Sequence, residues 1–385
     1  MELNADNQID FLTDANQLCE LTSVLREEKI IAVDTESDSR HRHPEKVCLV
    51  QIATSKKVYL IDTISIENLS GIGEALANNS IIKIMQGADY DIRCLDRQWG
   101  FRIRNIFDTS IAARFVGMDR FGLSALIETL LGIKIPKDAR IQKSDWSERP
   151  LKPEALSYAA TDVWYLPEIH EILKKQLSTL GRSDWVSEEC SRLEQIRHTP
   201  PDPDTAFLSL KGTGKFNGQA KAILRRLYLL RDSEARRRNR PPHYVLPNES
   251  LIELALNPQS DFSKIPQLKN SPTNHFGMLL IKALREGLTD PPITISSLKH
   301  RKKKSMTPEE TIRLQKLKEW RNDRATALNL EPGLVWPLIS LERLARSPDS
   351  LDLERKSPEV RTWQRNQFLK ELHLALPSIY KFSCL

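Results

Sequence analysis

The 385-residue chain has 40% hydrophobic and 28% charged residues at a mean hydropathy of −0.43, a balance that fits a soluble globular protein with more than one core. No apolar run approaches a membrane span, and five scattered cysteines (Cys19, Cys48, Cys94, Cys190 and Cys384) without a C-x-x-C pair argue against a zinc or disulfide frame. The net charge of +6 is uneven: residues 1–190 hold 23 Lys and Arg against 30 Asp and Glu (−7), and residues 191–385 hold 34 against 21 (+13). A basic half without a lipid-seeking apolar face points to nucleic acid, not to a membrane. The polar, acidic start "MELNADNQID" is neither a secretory nor a transit peptide, so a cytoplasmic protein is expected.

In chain order, "IIAVDTES" from Ile30 reads as a buried strand that ends in acids. "KVCLVQIAT" and "KKVYLIDT" follow, rich in β-branched residues, and predict an antiparallel meander. "HRH" at His41–His43 falls in the connection and reads as an exposed loop. "SIENLSGIGEALANN" has helical spacing, and "SIIKIMQG" is a fourth strand. "ADYDIRCLDRQWG" is a short helix with Gly100 as its C-terminal cap. "FRIRNIFDT" gives a short strand leading into a helix at Ser110. Helical stretches follow around 123–131 and 153–177. Strands first, then alternation with helices, imply an α/β sheet with helices packed on it.

The proline-rich "HTPPDPD" at His198–Asp204 marks the first domain boundary. Beyond it the pattern is helical and contains a repeat. Arg231–Ala255 aligns without gaps to Arg321–Ala345 at an offset of 90, with ten of 25 positions identical. Two copies of one small helical domain are therefore expected. The expected division is residues 1–200, 205–290 and 305–385. Cationic clusters occur in "RRRNR" (Arg236, Arg237, Arg238, Arg240) and in "HRKKK" (Arg301, Lys302, Lys303, Lys304). These are the candidate nucleic-acid contacts. "GTGK" at Gly212–Lys215 is not a P-loop, because Ser209 and Phe216 occupy positions that need Gly and Ser or Thr.

Asp34 and Glu36 lie two apart on a strand and so share a face. "YAATD" puts Tyr158 and Asp162 four apart on a helical segment, again on one face. "GADYDI" offers Asp89 or Asp91 directly after a strand. Carboxylates and a tyrosine, without His or Cys, describe a hard-cation site for Mg²⁺ or Mn²⁺. Two such ions clamp an in-line phosphoryl displacement. Tyrosine, with an ordinary pKa of about 10, orients a water better than it removes its proton.

These motifs, with "NIFDTSIAAR", "GLSALIETLLGIKIPK" and "SDWSERPL", resemble the DEDD exonuclease superfamily in the subgroup whose last motif carries tyrosine, and within it the ribonuclease D family. The resemblance covers nearly all of residues 20–180. It implies an RNase H-like exonuclease domain, a mixed sheet flanked by helices, followed by two all-α HRDC-like domains, the second divergent. HRDC domains are helical nucleic-acid-binding modules shared with RecQ-type helicases. The resemblance also selects Asp91 as the second acidic motif, beside Asp34, Glu36, Tyr158 and Asp162, and makes Asp108 a helix cap instead of a ligand. It implies a monomeric 3′–5′ exoribonuclease with two Mg²⁺ or Mn²⁺ ions, acting on tRNA precursors or other structured RNA 3′ ends and releasing nucleoside 5′-monophosphates. The motifs alone leave open a DNA-directed exonuclease of the same fold and a non-catalytic binding protein.

Overall fold

Six strands build one mixed sheet: β1 (Ile9–Leu12), β2 (Ile30–Ser37), β3 (Val47–Ala53), β4 (Val58–Asp62), β5 (Ile82–Met85) and β6 (Ile106–Asp108). The computed structural model describes residues 8–381 except 137, 261–267, 269–274, 295–304 and 348–349, and side chains as far as 376. The strand order is β1-β4-β3-β2-β5-β6. The antiparallel meander β2–β3–β4 is present, with Asp34 opposite Gln51 and Gln51 opposite Leu60. Parallel pairs extend it at both ends, β1 on β4 and β5 between β2 and β6. Strand β1 and the helix α1 (Ala15–Glu27) that follows it have no counterpart in the sequence reading.

Strand β2 opens on an unbroken apolar run, Ile30–Val33, whose side chains alternate between the two faces of the sheet. Ile31 and Val33 pack with Leu21 and Leu25 of α1, with Leu76 of α2 (Ser70–Ala77), and with Ile92 and Leu95 of α3 (Asp89–Trp99). Ala32 faces the other way, among Ala159, Ala160 and Val163. Helix α3 ends at Gly100 in the left-handed conformation (φ 70°), as expected of its cap. Helix α4 (Thr109–Val116) follows β6 directly. The stretch at 123–131 is helical and closes on a π-turn, Ile127–Leu131. The expected single helix at 153–177 is instead two, α5 (Pro153–Trp164) and α6 (Leu166–Thr179). Pro167 explains the break, because it has no N–H to continue the ladder of α5. Helix α7 (Ser183–Leu193) completes the acidic half.

The repeat predicted from sequence is a structural repeat. Helices α8 (Gly218–Arg238), α9 (Asn248–Leu256) and α10 (His275–Thr289) form the first helical unit, and α11 (Pro308–Leu328), α12 (Leu338–Arg346) and α13 (Thr362–Lys381) the second. Asn239 and Asn329 end α8 and α11 at positive φ, 49° and 50°. Arg231 Nη1 donates to the Leu246 carbonyl at 3.0 Å, and Arg321 Nη1 to the Trp336 carbonyl at 3.4 Å, again 90 residues on.

The two units attach differently. The first has its own core, built on Phe207, Leu224, Leu227, Leu246, Leu251 and Leu254. The second merges with the sheet domain: Leu317, Trp336, Trp363, Phe368 and Leu372 share one cluster with Phe115, Tyr165, Ile169 and Leu173. Asn329 Nδ2 donates to the Gly117 carbonyl at 3.2 Å, and a Cβ at Gly117 would collide with Asn329. No helix among the described residues is long and apolar enough to cross a membrane.

Candidate active site

The β2 face that carries Ala32 continues to Asp34 and Glu36, and α5 packs on it through its alanines. Asp162 lies one turn beyond Tyr158 on α5. Oxygens of Asp34, Glu36 and Asp162 all lie within 4.8 Å of one another. Tyr158 is close enough for its hydroxyl to favour the ionised form of the Asp162 carboxylate. Four of the five predicted side chains therefore converge where β2 meets α5.

Asp91 comes from the first turn of α3, after β5 and a tight turn at Gly87 (φ 71°). It stands outside the close trio, but within electrostatic reach of Asp34 and Glu36. Thr35, which points to the opposite face from its two acidic neighbours, donates its hydroxyl to Asp91 Oδ1 at 2.5 Å. Thr35 is not among the residues expected from the sequence, although strand alternation puts it on the α3 side. Asp89, the other candidate, turns outward and pairs with Arg93 at 2.7 Å. Asp108 is a cap: it accepts from Ser110 N and Ile111 N at the start of α4. Its second oxygen accepts from Ala88 N at 2.8 Å, which ties the start of α3, and so Asp91, to the end of β6.

The acids are held together against their mutual repulsion. Burial first, then Asp162 and Asp91, push Glu36 up to about 9. Burial raises Asp91 to about 6 and Asp162 to about 7. Asp34 is raised well above the ordinary range by burial and then by Asp91, Asp162 and Glu36. A set of oxygen donors that needs positive charge fits a hard divalent cation. Burial and the neighbouring acids also raise Tyr158, so its hydroxyl keeps its proton.

A stability prediction follows. Acids raised in the folded chain hold protons that the unfolded chain has already released, so stability must fall as pH rises. The loss spans the interval from the ordinary carboxylate range up through about 6, 7 and 9, the values of Asp91, Asp162 and Glu36. Without divalent ions, thermal unfolding should come lower at pH 8.5 than at pH 5.5, and Mn²⁺ should raise it more at pH 8.5. Calorimetric scans at the two pH values check this. A Mn²⁺ effect equal at both would contradict it.

The basic residues are less free than the sequence implied. Arg237 and Arg238 both pair with Glu234, whose carboxylate is buried and held down at about 2 chiefly by Arg237. Arg238 also lies over the Phe276 ring, 5.1 Å from its centroid. Arg236 pairs with Asp232 but keeps more than half its surface exposed, and Arg240 is exposed. Arg301, Lys302, Lys303 and Lys304 lie outside the described residues. The "HRH" loop is not an exposed one. His41 Nε2 bonds the Lys143 carbonyl, and Arg42 bonds Ser147 and pairs with Asp145. His43 Nε2 meets Asp232 of the first helical unit at 2.8 Å.

Known proteins resemble this chain over most of its length. A family model described as 3′–5′ exonuclease matches residues 9–178, and one for the HRDC domain matches residues 220–284. Ribonuclease D of Granulibacter bethesdensis is 29% identical over 93% of this chain and 90% of its own length. The chain is a ribonuclease D-like 3′–5′ exoribonuclease. The ribonuclease D of Pseudomonas paraeruginosa is 28% identical over 96% of this chain and 98% of its own. The crystal structure of Escherichia coli RNase D shares the fold, with a TM-score of 0.73 at 21% identity, covering 96% of this chain and 99% of that one. Within this ribonuclease D-like chain, the HRDC match falls on α8–α10 and the exonuclease match spans the sheet and all four acids.

Proposed function

We propose that this chain, a 3′–5′ exoribonuclease by family, removes nucleotides from RNA 3′ ends as nucleoside 5′-monophosphates at the site formed by Asp34, Glu36, Asp91, Tyr158 and Asp162. The observation that carries the reading is the convergence of the Asp34, Glu36 and Asp162 carboxylates beside a protonated Tyr158. Asp34, Glu36, Asp91 and Asp162 would hold two divalent cations, Mg²⁺ or Mn²⁺. Bound there, the cations would supply acidity to an attacking water and charge stabilisation to the leaving 3′ oxygen. Tyr158 orients that water through its hydroxyl. Thr35 and Asp108 hold Asp91 and its helix in place. The RNA is held by the helical half, with tRNA precursors as the proposed substrate and the monomer as the working form. In this reading residues 1–200 are the exonuclease domain, 205–290 the HRDC domain and 305–385 a second, divergent HRDC-like domain.

Labelled RNA and DNA of one sequence, with and without EDTA, test the proposal. It requires EDTA-sensitive release of mononucleotides from the RNA 3′ end, faster than from DNA. Equal rates on both would sink the RNA assignment.

Tyr158→Phe removes one hydroxyl and leaves the ring against Trp146, 6.2 Å away between centroids. Turnover should fall about a hundredfold, while RNA affinity stays within twofold. Single-turnover kinetics beside a binding isotherm separate the two. Unchanged turnover would make Tyr158 a packing residue.

Arg236 and Arg240 are the residues of "RRRNR" left to meet phosphate, and Arg238 is held by Glu234 and Phe276. Replacing Arg236 and Arg240 by Ala should flatten the salt dependence of RNA binding, by roughly 0.7–0.9 in log-log slope per lost phosphate contact. Arg238→Ala should lower stability instead. If Arg238→Ala alone flattens the slope and the pair does not, this division is wrong.

A further inference from the structure

Strand β3 is buried along all seven residues, and one of them, Gln51, carries a side-chain amide. Gln51 is 0% exposed, and neither its Nε2 nor its Oε1 has a hydrogen-bond partner among the described residues. Its cross-strand neighbour on β2 is Asp34. Such neighbours point to the same face, with Cβ atoms about 4.5–5.5 Å apart. That face is covered by α5, and Leu49 and Ala53, two residues on either side of Gln51, pack there against Ala155 and Ala159. The unpaired amide therefore sits in the layer that holds Asp34, Glu36, Tyr158 and Asp162.

An unpaired buried amide group weakens the fold, because it gives up its bonds to water and gains none in return. Its neighbours Leu49, Ala53 and Leu60 are apolar, so Leu or Met would pack here without that loss. A side chain that weakens the fold without improving packing is expected beside a functional site. The acids supply what the amide lacks. Ionised carboxylates only accept hydrogen bonds. A cation held by Asp34 through one oxygen would leave the other oxygen in need of a donor. Outer partners of this kind orient metal-binding carboxylates.

We infer that Gln51 is a positioning residue for the metal site: with a divalent cation bound, Gln51 Nε2 donates to the free carboxylate oxygen of Asp34 and fixes its orientation. The inference rests on the divalent-metal reading of the acidic cluster. Gln51 touches neither RNA nor the cleaved bond, so it acts on turnover through Asp34 alone.

The test uses the full chain and Mn²⁺. Mn²⁺ affinity is measured by calorimetry, thermal unfolding without metal, and kcat and KM on RNA, for wild type, Gln51→Met, Gln51→Leu and Asp34→Asn. Asp34→Asn should lose Mn²⁺ binding. Gln51→Met should unfold at or above the wild-type temperature, bind Mn²⁺ about 10–100-fold more weakly, and lose kcat with KM within twofold. Gln51→Leu should follow it, which guards against a misfit peculiar to Met. Mn²⁺ affinity within twofold of wild type in a folded Gln51 variant, with Asp34→Asn inactive in binding, overturns the role of Gln51 alone. So does a marked fall in unfolding temperature in both Gln51 variants, since the amide would then serve packing. Undiminished Mn²⁺ binding by Asp34→Asn overturns the metal reading itself.

Discussion

Asp34→Ala or Asp162→Ala should reduce RNA cleavage on the order of a thousandfold or more, with RNA binding retained. The two residues face each other from β2 and α5, and with Glu36 their oxygens close within 4.8 Å. Removing either breaks the set that would clamp the cations, and the three remaining acids cannot hold both. The basic residues of the first helical unit are on a separate core and should not feel the change. The conservative pair Asp34→Asn and Asp162→Asn should also raise the unfolding temperature of the metal-free protein at pH 8 by a few degrees. Both carboxyls are raised by burial and neighbouring acids, so each weakens the fold once ionised. Cleavage and binding assays on each variant check the first statement, and calorimetry the second. Activity within twofold of wild type in either alanine variant would remove that residue from the site.

Trp363→Ala should destabilise the protein by about 3–5 kcal/mol, the ordinary cost of emptying a buried aromatic position. Trp363, in the second helical unit, is 4% exposed and stacks on Trp185 of α7 at 4.6 Å, 18° from parallel. It also meets Phe115 of α4 edge-on at 5.3 Å. Glu188 accepts from the backbone N–H groups of Thr362 and Trp363, and Glu189 from Trp363 Nε1 and Arg361. The second unit is thus part of the exonuclease domain's own support. Denaturant unfolding should show the sheet domain and the second unit melting together, earlier in the variant. A sheet-domain transition untouched by Trp363→Ala would contradict the shared core.

How much of this was legible in the sequence follows from the range of each interaction. D-x-E and Y-x-x-x-D could be read because strand and helix periods are local, and the structure puts each pair on one face. The choice between Asp89 and Asp91 depends on how α3 is turned against the sheet, which composition does not reveal; family resemblance supplied it. Strand β1 is four residues long and lacks an apolar alternation to mark it. The repeat was legible because Arg231, Asn239 and their counterparts do the same structural work, bonding a carbonyl and ending a helix. That the two copies attach differently was not, since contacts such as Phe115 to Trp363 join segments far apart in sequence. The pairing of Arg237 and Arg238 with Glu234 did have a signal, three- and four-residue spacing on one helix.

The central claim is that Asp34, Glu36, Asp91 and Asp162 form a divalent-metal site. Crystals grown with Mn²⁺ and measured for anomalous scattering test it most directly. Two anomalous peaks about 3.5–4 Å apart, ligated by oxygens of these four carboxylates, are the expected result. Peaks only elsewhere on the chain, or none at Mn²⁺ concentrations that support cleavage, would contradict it.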